Sequence, residues 1–128
     1  MGTYCDLSDV QDQFGTANVA AWSDLSANDT LDTDRVDRAI ARAEARIDDR
    51  FRGSKWTVPF APVPSAVQSW AAVLAGVFLY RHRGIRDTDV EERIAALEEA
   101  VFAEMNEVLS GVATLDADTI PRAPFAVA

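Results

Sequence analysis

A chain of 128 residues, 48% hydrophobic and with a formal charge of −9, is long enough for one domain with a packed core. It is too acidic overall for non-specific, phosphate-driven binding to nucleic acid. One cysteine, Cys5, excludes an internal disulfide and a cysteine-rich zinc site, and the opening MGTYCDLSDV has neither the basic start nor the apolar run of a secretory signal.

The charge is unevenly placed. Residues 1–34 carry seven acids and no base, residues 35–86 ten bases against four acids, and residues 87–128 ten acids against two bases. A basic middle between acidic ends is satisfied either within one fold or between identical copies arranged head to tail. Eleven arginines stand beside a single lysine, Lys55, and Asp outnumbers Glu fourteen to seven. A GC-rich coding sequence and a salt-adapted host both produce that bias.

Residues 6–15, DLSDVQDQFG, predict a short helix capped by Asp6 or Ser8, with Val10 and Phe14 on one face and Gly15 closing it. A second helical turn is expected at 17–22. Residues 23–32, SDLSANDTLD, are turn formers and read as a surface loop. Their acids lack the spacing and the terminal bidentate Glu of an EF-hand loop, so no metal is expected there.

Residues 33–52 predict a long helix with Thr33 as N-cap, Gly53 as its end, and Val36, Ile40, Ala43, Ile47 and Phe51 as its buried face. On the other side Arg38, Arg42, Arg46 and Arg50 recur every four residues. Like charges at that spacing oppose the helix by about 0.2–0.5 kcal/mol per pair. Asp34 can relieve Arg38, and Asp49 can relieve Arg46. Arg42 and Arg50 have no acid three or four residues away, so either the row is a solvated face or its partners lie on another helix or another copy.

Residues 53–64, GSKWTVPFAPVP, hold three of the five prolines and predict a stiff, extended loop. Two readings of Trp56 and Phe60 stand: they pack back on the core, or they are displayed as anchors for a partner. The stretch that organises the chain follows, SAVQSWAAVLAGVFLYRHR at 65–83, apolar nearly all round and too short for the roughly 20 residues of a membrane span. It predicts a buried central helix opened by Pro62, Pro64 and an N-cap at Ser65 and ended by Gly84.

Residues 87–110 predict a further helix, capped by Asp87 or Thr88, with Val90, Ile94, Leu97, Val101, Met105 and Val108 as its apolar stripe. Its outer face carries Glu91, Glu92, Glu98, Glu99, Glu104 and Glu107, relieved only by Arg93. That face complements the arginine row. Arg42, Arg46 and Arg50 against Glu91, Glu98 and Glu99 form the candidate electrostatic contact, within one subunit or between two. The tail has no helical period and contains Pro121 and Pro124. It is either a disordered end or an arm whose Ile120, Phe125 and Val127 dock on a partner.

The fold class is therefore all-α, with about four helices around the buried 65–83 helix, a helical domain at 1–110 and an extended arm at 111–128. His82 is the only histidine, and no nucleophile–base set, glycine-rich phosphate loop, HExxH or CxxC is present. No enzymatic activity, cofactor or metal is expected. A contact-making protein is the default.

Three stretches, taken in order, resemble a known family: TYCDLSDVQDQFG at 3–15, DRAIARAEARIDDRFRG at 37–53, and PFAPVPSAVQSWAAVLAGVFLYRHR at 59–83. They are similar to the small helical head–tail connector proteins of tailed phages, the adaptor or head-completion proteins of Mu-like and lambdoid types. The resemblance implies a ring, commonly twelve-fold, that joins the portal after DNA packaging, extends the DNA channel and offers a platform to stopper or tail proteins. It implies a portal-binding arm carrying Ile120, Pro121, Pro124, Phe125 and Val127. It also implies a tail-side loop with Trp56, Val58, Phe60 and Pro62. The implied partners are the portal protein, a stopper or tail-completion protein and further copies of the chain. DNA would pass without specific binding, and no membrane is involved. The implied place is the virion neck, reached from the host cytoplasm during assembly. The rival reading is a small helical protein-binding regulator unrelated to virions.

Overall fold

The structure, a computed structural model, describes residues 3–24, 30–83 and 88–115. Among the described residues five helices follow one another: α1 (Leu7–Phe14), α2 (Thr16–Ser23), α3 (Thr33–Phe51), α4 (Ser65–Arg83) and α5 (Thr88–Ser110). The fold is all-α. The additional helix is α2, where the expected single turn is a full eight residues.

Local chemistry sets the helix starts. Asp6 caps α1 through a capping box: its carboxylate accepts from the Asp9 N–H, and the Asp9 carboxylate accepts from the Asp6 N–H at 2.9 Å. Gly15, at φ 91°, turns the chain directly from α1 into α2, in a conformation that suits glycine. Asp32, one residue before the expected Thr33, caps α3 by accepting from Arg35 N–H at 3.2 Å. The first bond of α4 likewise runs from Gln68 N–H to Pro64 O at 3.1 Å, one residue ahead of Ser65. The expected turn at Gly84 and cap at Asp87 lie outside the described residues.

The helix α4 packs against α1, α2, α3 and α5, which makes it the axis of the molecule. From Trp70 to Val77 every residue is buried. The predicted face of α3, Val36, Ile40, Ala43, Ile47 and Phe51, is buried against it in full. Each of the larger side chains among them contributes roughly 1.5–3 kcal/mol on removal from water, and Ala43 less. Gly76 allows α1 to close on α4, because a Cβ there would sit 2.0 Å from Cε2 of Phe14.

Two aromatic clusters lie near the two ends of α4. Near its N-terminus, Phe51 stacks on Trp70 at 5.8 Å and meets Phe60 edge-on at 5.4 Å, with Tyr4 behind Phe60 at 6.0 Å. Near its C-terminus, Trp22 stands edge-on between Phe14 at 5.3 Å and Tyr80 at 5.2 Å. The stripe of α5 is buried at Ile94, Val101, Met105 and Val108. Leu97, expected in the same stripe, is exposed. Leu115 is buried in the core, so the chain just beyond α5 belongs to the helical body.

Candidate functional site

The N-terminal segment is pinned to α3. Glu44 accepts from the backbone N–H groups of Tyr4 at 2.5 Å and Cys5 at 3.3 Å. The Tyr4 hydroxyl donates to Asp48 and accepts from the Phe60 N–H at 2.9 Å. One phenol thus ties the chain start, α3 and the 53–64 loop together. Burial, then the bond to Asp48, raises the Tyr4 pKa well above its ordinary value. Burial also raises Asp48, against the Tyr4 hydrogen bond, which favours the carboxylate. Cys5 is buried, and burial with Glu44 nearby pushes its thiol up to about 12. Since the thiolate is the reactive form, Cys5 is an inert packing residue.

In the expected tail-side loop, Trp56 and Phe60 are buried, Val58 is half-buried and Pro62 is exposed. The two rings serve the core and are not displayed as anchors. The loop's outward surface is made by Lys55, Thr57, Pro59, Ala61 and Pro62. The arm residues Ile120, Pro121, Pro124, Phe125 and Val127 lie outside the described residues.

The arginine row finds rings. Arg42 lies over Phe78 at 5.0 Å, and Arg46 and Arg50 lie over Phe102 at 5.8 and 5.1 Å. Arg50 also donates to Asn106. The ion pairs found among the described residues do not include this row: Arg52 meets Asp49 at 2.5 Å, and Arg81 meets Glu98 at 2.8 Å. The acidic face of α5 is partly engaged within the chain. Glu98 holds Arg81, and Glu104 accepts from Trp70 Nε1 at 2.7 Å. Glu91 is engaged as well, and Glu99 is exposed. Phe78 and Phe102 were not anticipated as partners. The available signal was an aromatic flanking the apolar stripe of its helix opposite arginines without acids.

A second surface was not anticipated at all. A groove of about 780 Å³ opens between α1 and α2, the end of α4 and the first half of α5, lined by Phe14, Trp22, Tyr80, Ile94 and Leu97 with Arg83 and Arg93 on its rim. Arg83 closes one end by donating to the carbonyls of Ala21, at 2.5 Å, and Asp24. Among the described residues no group of three His, Cys, Asp or Glu side chains converges as a metal site would require.

These surfaces define a small all-α protein whose distinctive features are packed aromatics, guanidiniums seated over rings and an open apolar groove. Residues 4–126 match the family described as Bacteriophage Mu, Gp36. That is nearly the whole chain, which therefore belongs to this family and is a phage protein of structural or assembly type. No curated protein matches it. Such membership fits a virion or assembly-related location, and no helix among the described residues is long and apolar enough to cross a membrane.

Proposed function

We propose that the chain is a head–tail connector, an adaptor that forms a ring under the portal, extends the DNA channel and presents a platform to stopper or tail proteins. The observation that carries this reading is the family match over residues 4–126, which covers the three stretches that resemble connector proteins except for Thr3. Membership of a phage family counts against a regulator unrelated to virions. In this reading the protein acts by contact, without catalysis or cofactor, at the virion neck. The arm with Ile120, Pro121, Pro124, Phe125 and Val127 grips the portal. The 53–64 loop meets the tail side through its outward residues, Pro62 and the rim of Val58, while Trp56 and Phe60 hold its shape. The exposed edges of Arg42, Arg46 and Arg50 and the carboxylates of Glu91, Glu98 and Glu99 bias neighbouring copies toward the correct register. A net charge of −9 lets DNA slide past without sticking.

The test is to mix the chain with its cognate portal, with and without residues 116–128, and image the product by electron microscopy. Leu115 is retained because it belongs to the core. Portal-dependent rings that vanish on truncation are expected. Rings that survive truncation move the portal contact to the helical body. Failure to associate at both low and high salt overturns the reading.

A further inference from the structure

The groove and the far end of α5 are complementary in shape and charge. The groove floor is aromatic and aliphatic, and Leu97 projects into it with 40% of its surface exposed. Its rim carries two cations, and among the described residues its lining holds no acid. Arg83 is already committed to backbone carbonyls. Arg93 is exposed and pairs with no carboxylate among the described residues. The groove therefore suits an apolar segment that brings one carboxylate.

Such a segment exists at the other end of the same helix. α5 closes in a glycine turn: Gly111 stands at φ 88°, its N–H reaches Val108 O at 3.2 Å, and the Val112 N–H reaches Glu107 O at 2.9 Å. In this termination the apolar residue after the glycine commonly folds back on the helix. Val112 does not; it is 79% exposed, and Leu109 beside it is 37% exposed. Together with the Ala113 N–H, which also reaches Glu107 O at 3.1 Å, three backbone hydrogen bonds hold a bare apolar knob in place, and Glu107 at the same turn is exposed. At 1.5 Å per residue, Leu97 and Val112 lie about 22 Å apart along the helix, so the knob cannot fill its own chain's groove.

We propose that the groove receives the C-terminal end of α5 from a second copy of this chain, with Leu109 and Val112 seated against Trp22 and Leu97 and Glu107 facing Arg93. The contact joins two different patches, so it is head-to-tail and propagates until rotation closes it. It deepens the ring reading and rests on it for the closure.

Because Cys5 is buried, introduced thiols report on this contact cleanly. Leu97→Cys and Val112→Cys, placed in separate chains, are mixed at high concentration and also in the presence of portal, then mildly oxidised and run on a non-reducing gel. A dimer from the mixture and none from either variant alone is expected, and a chain carrying both substitutions gives a ladder. Arg93→Glu in the first chain abolishes the mixed dimer, and Glu107→Arg in the second restores it. Absence of the mixed dimer in both conditions, or a dimer of Leu97→Cys with itself, overturns the proposal, as does occupation of the groove by another protein in portal-bound rings. Rings on the portal without a ladder remove the groove contact and leave the connector reading standing. A ladder from a chain that the portal never captures does the reverse.

Discussion

Gly76 sits in the middle of a helix, where glycine costs about 1 kcal/mol relative to alanine. Its use is steric, since the edge of the Phe14 ring occupies the space a Cβ would need. Gly76→Ala is expected to expel that ring from its seat beside Trp22 and to lose stability in urea, overpacking costing about 1–3 kcal/mol. In a Phe14→Ala background the same substitution should change sign and stabilise by roughly 0.5–1 kcal/mol, because only the helix propensity then remains. The same sign in both backgrounds would remove Phe14 as the reason for the glycine. Tyr4 offers a second test. Tyr4→Phe leaves the buried Phe60 N–H without its acceptor, and an unmet buried donor costs about 1–3 kcal/mol. Asp48, at the other end of that bond, has its folded pKa raised above the unfolded one by burial. Its favourable contribution is therefore complete below the unfolded pKa and is lost as pH rises through the folded pKa. Asn keeps the acceptor for Tyr4 but does not titrate. Asp48→Asn should gain stability relative to the parent as pH rises from acid toward neutrality, and a pH-independent difference between the two unfolding midpoints would contradict the shift.

Among the elements, α3 shows most clearly what a helical period conveys. Apolar spacing identifies its buried face at Val36, Ile40, Ala43, Ile47 and Phe51 and omits only the small Ala39, because that face meets chiefly one neighbour, α4. The same reasoning misplaces Leu97 in α5. A period reports which face of a helix is apolar and is silent on how far along its axis a partner covers it; at Leu97 the space beside the helix is the groove. It is equally silent on what stands opposite the polar face. The arginines of α3 invited acids, and tertiary placement gave Arg46 and Arg50 the ring of Phe102. The distinction is measurable. A double-mutant cycle with Arg50→Ala and Phe102→Leu is expected to give a coupling of about 0.5–1 kcal/mol, the size of an exposed cation–π contact. Raising the salt should diminish it less than the coupling of Arg81 to Glu98, an exposed ion pair that mobile ions screen. A coupling that vanishes in salt would mean that Arg50 acts through charge alone. The loop shows a different limit. Nothing in GSKWTVPFAPVP distinguishes a ring that anchors a partner from one that closes the core; Phe60 is held inward by partners remote in sequence, the Tyr4 hydroxyl fifty-six residues away and the Phe51 ring.

The whole molecule is acidic and carries its bases mainly in residues 35–86, where three guanidiniums of α3 lie over phenyl rings at 5.0–5.8 Å. Such a strip could act as a nucleic-acid track, since stacked arginines also meet phosphates. The electrostatic balance argues otherwise. Phosphate binding draws on released counterions, and each carboxylate in the surrounding field reduces the local anion affinity of the strip. With −9 overall, repulsion at long range dominates until a strand is already in contact. The free chain is therefore expected to show no change in the fluorescence anisotropy of a short labelled duplex at about 0.15 M salt, where the screening length is about 8 Å. Lowering the salt lengthens the reach of both the local attraction and the global repulsion, so binding should not appear there either, in contrast to an ordinary basic DNA-binding surface. Tight binding that strengthens steeply as salt falls would mean that the arginine strip outweighs the net charge. DNA would then be gripped by the chain, and a channel wall past which it slides would have to be built from a different face.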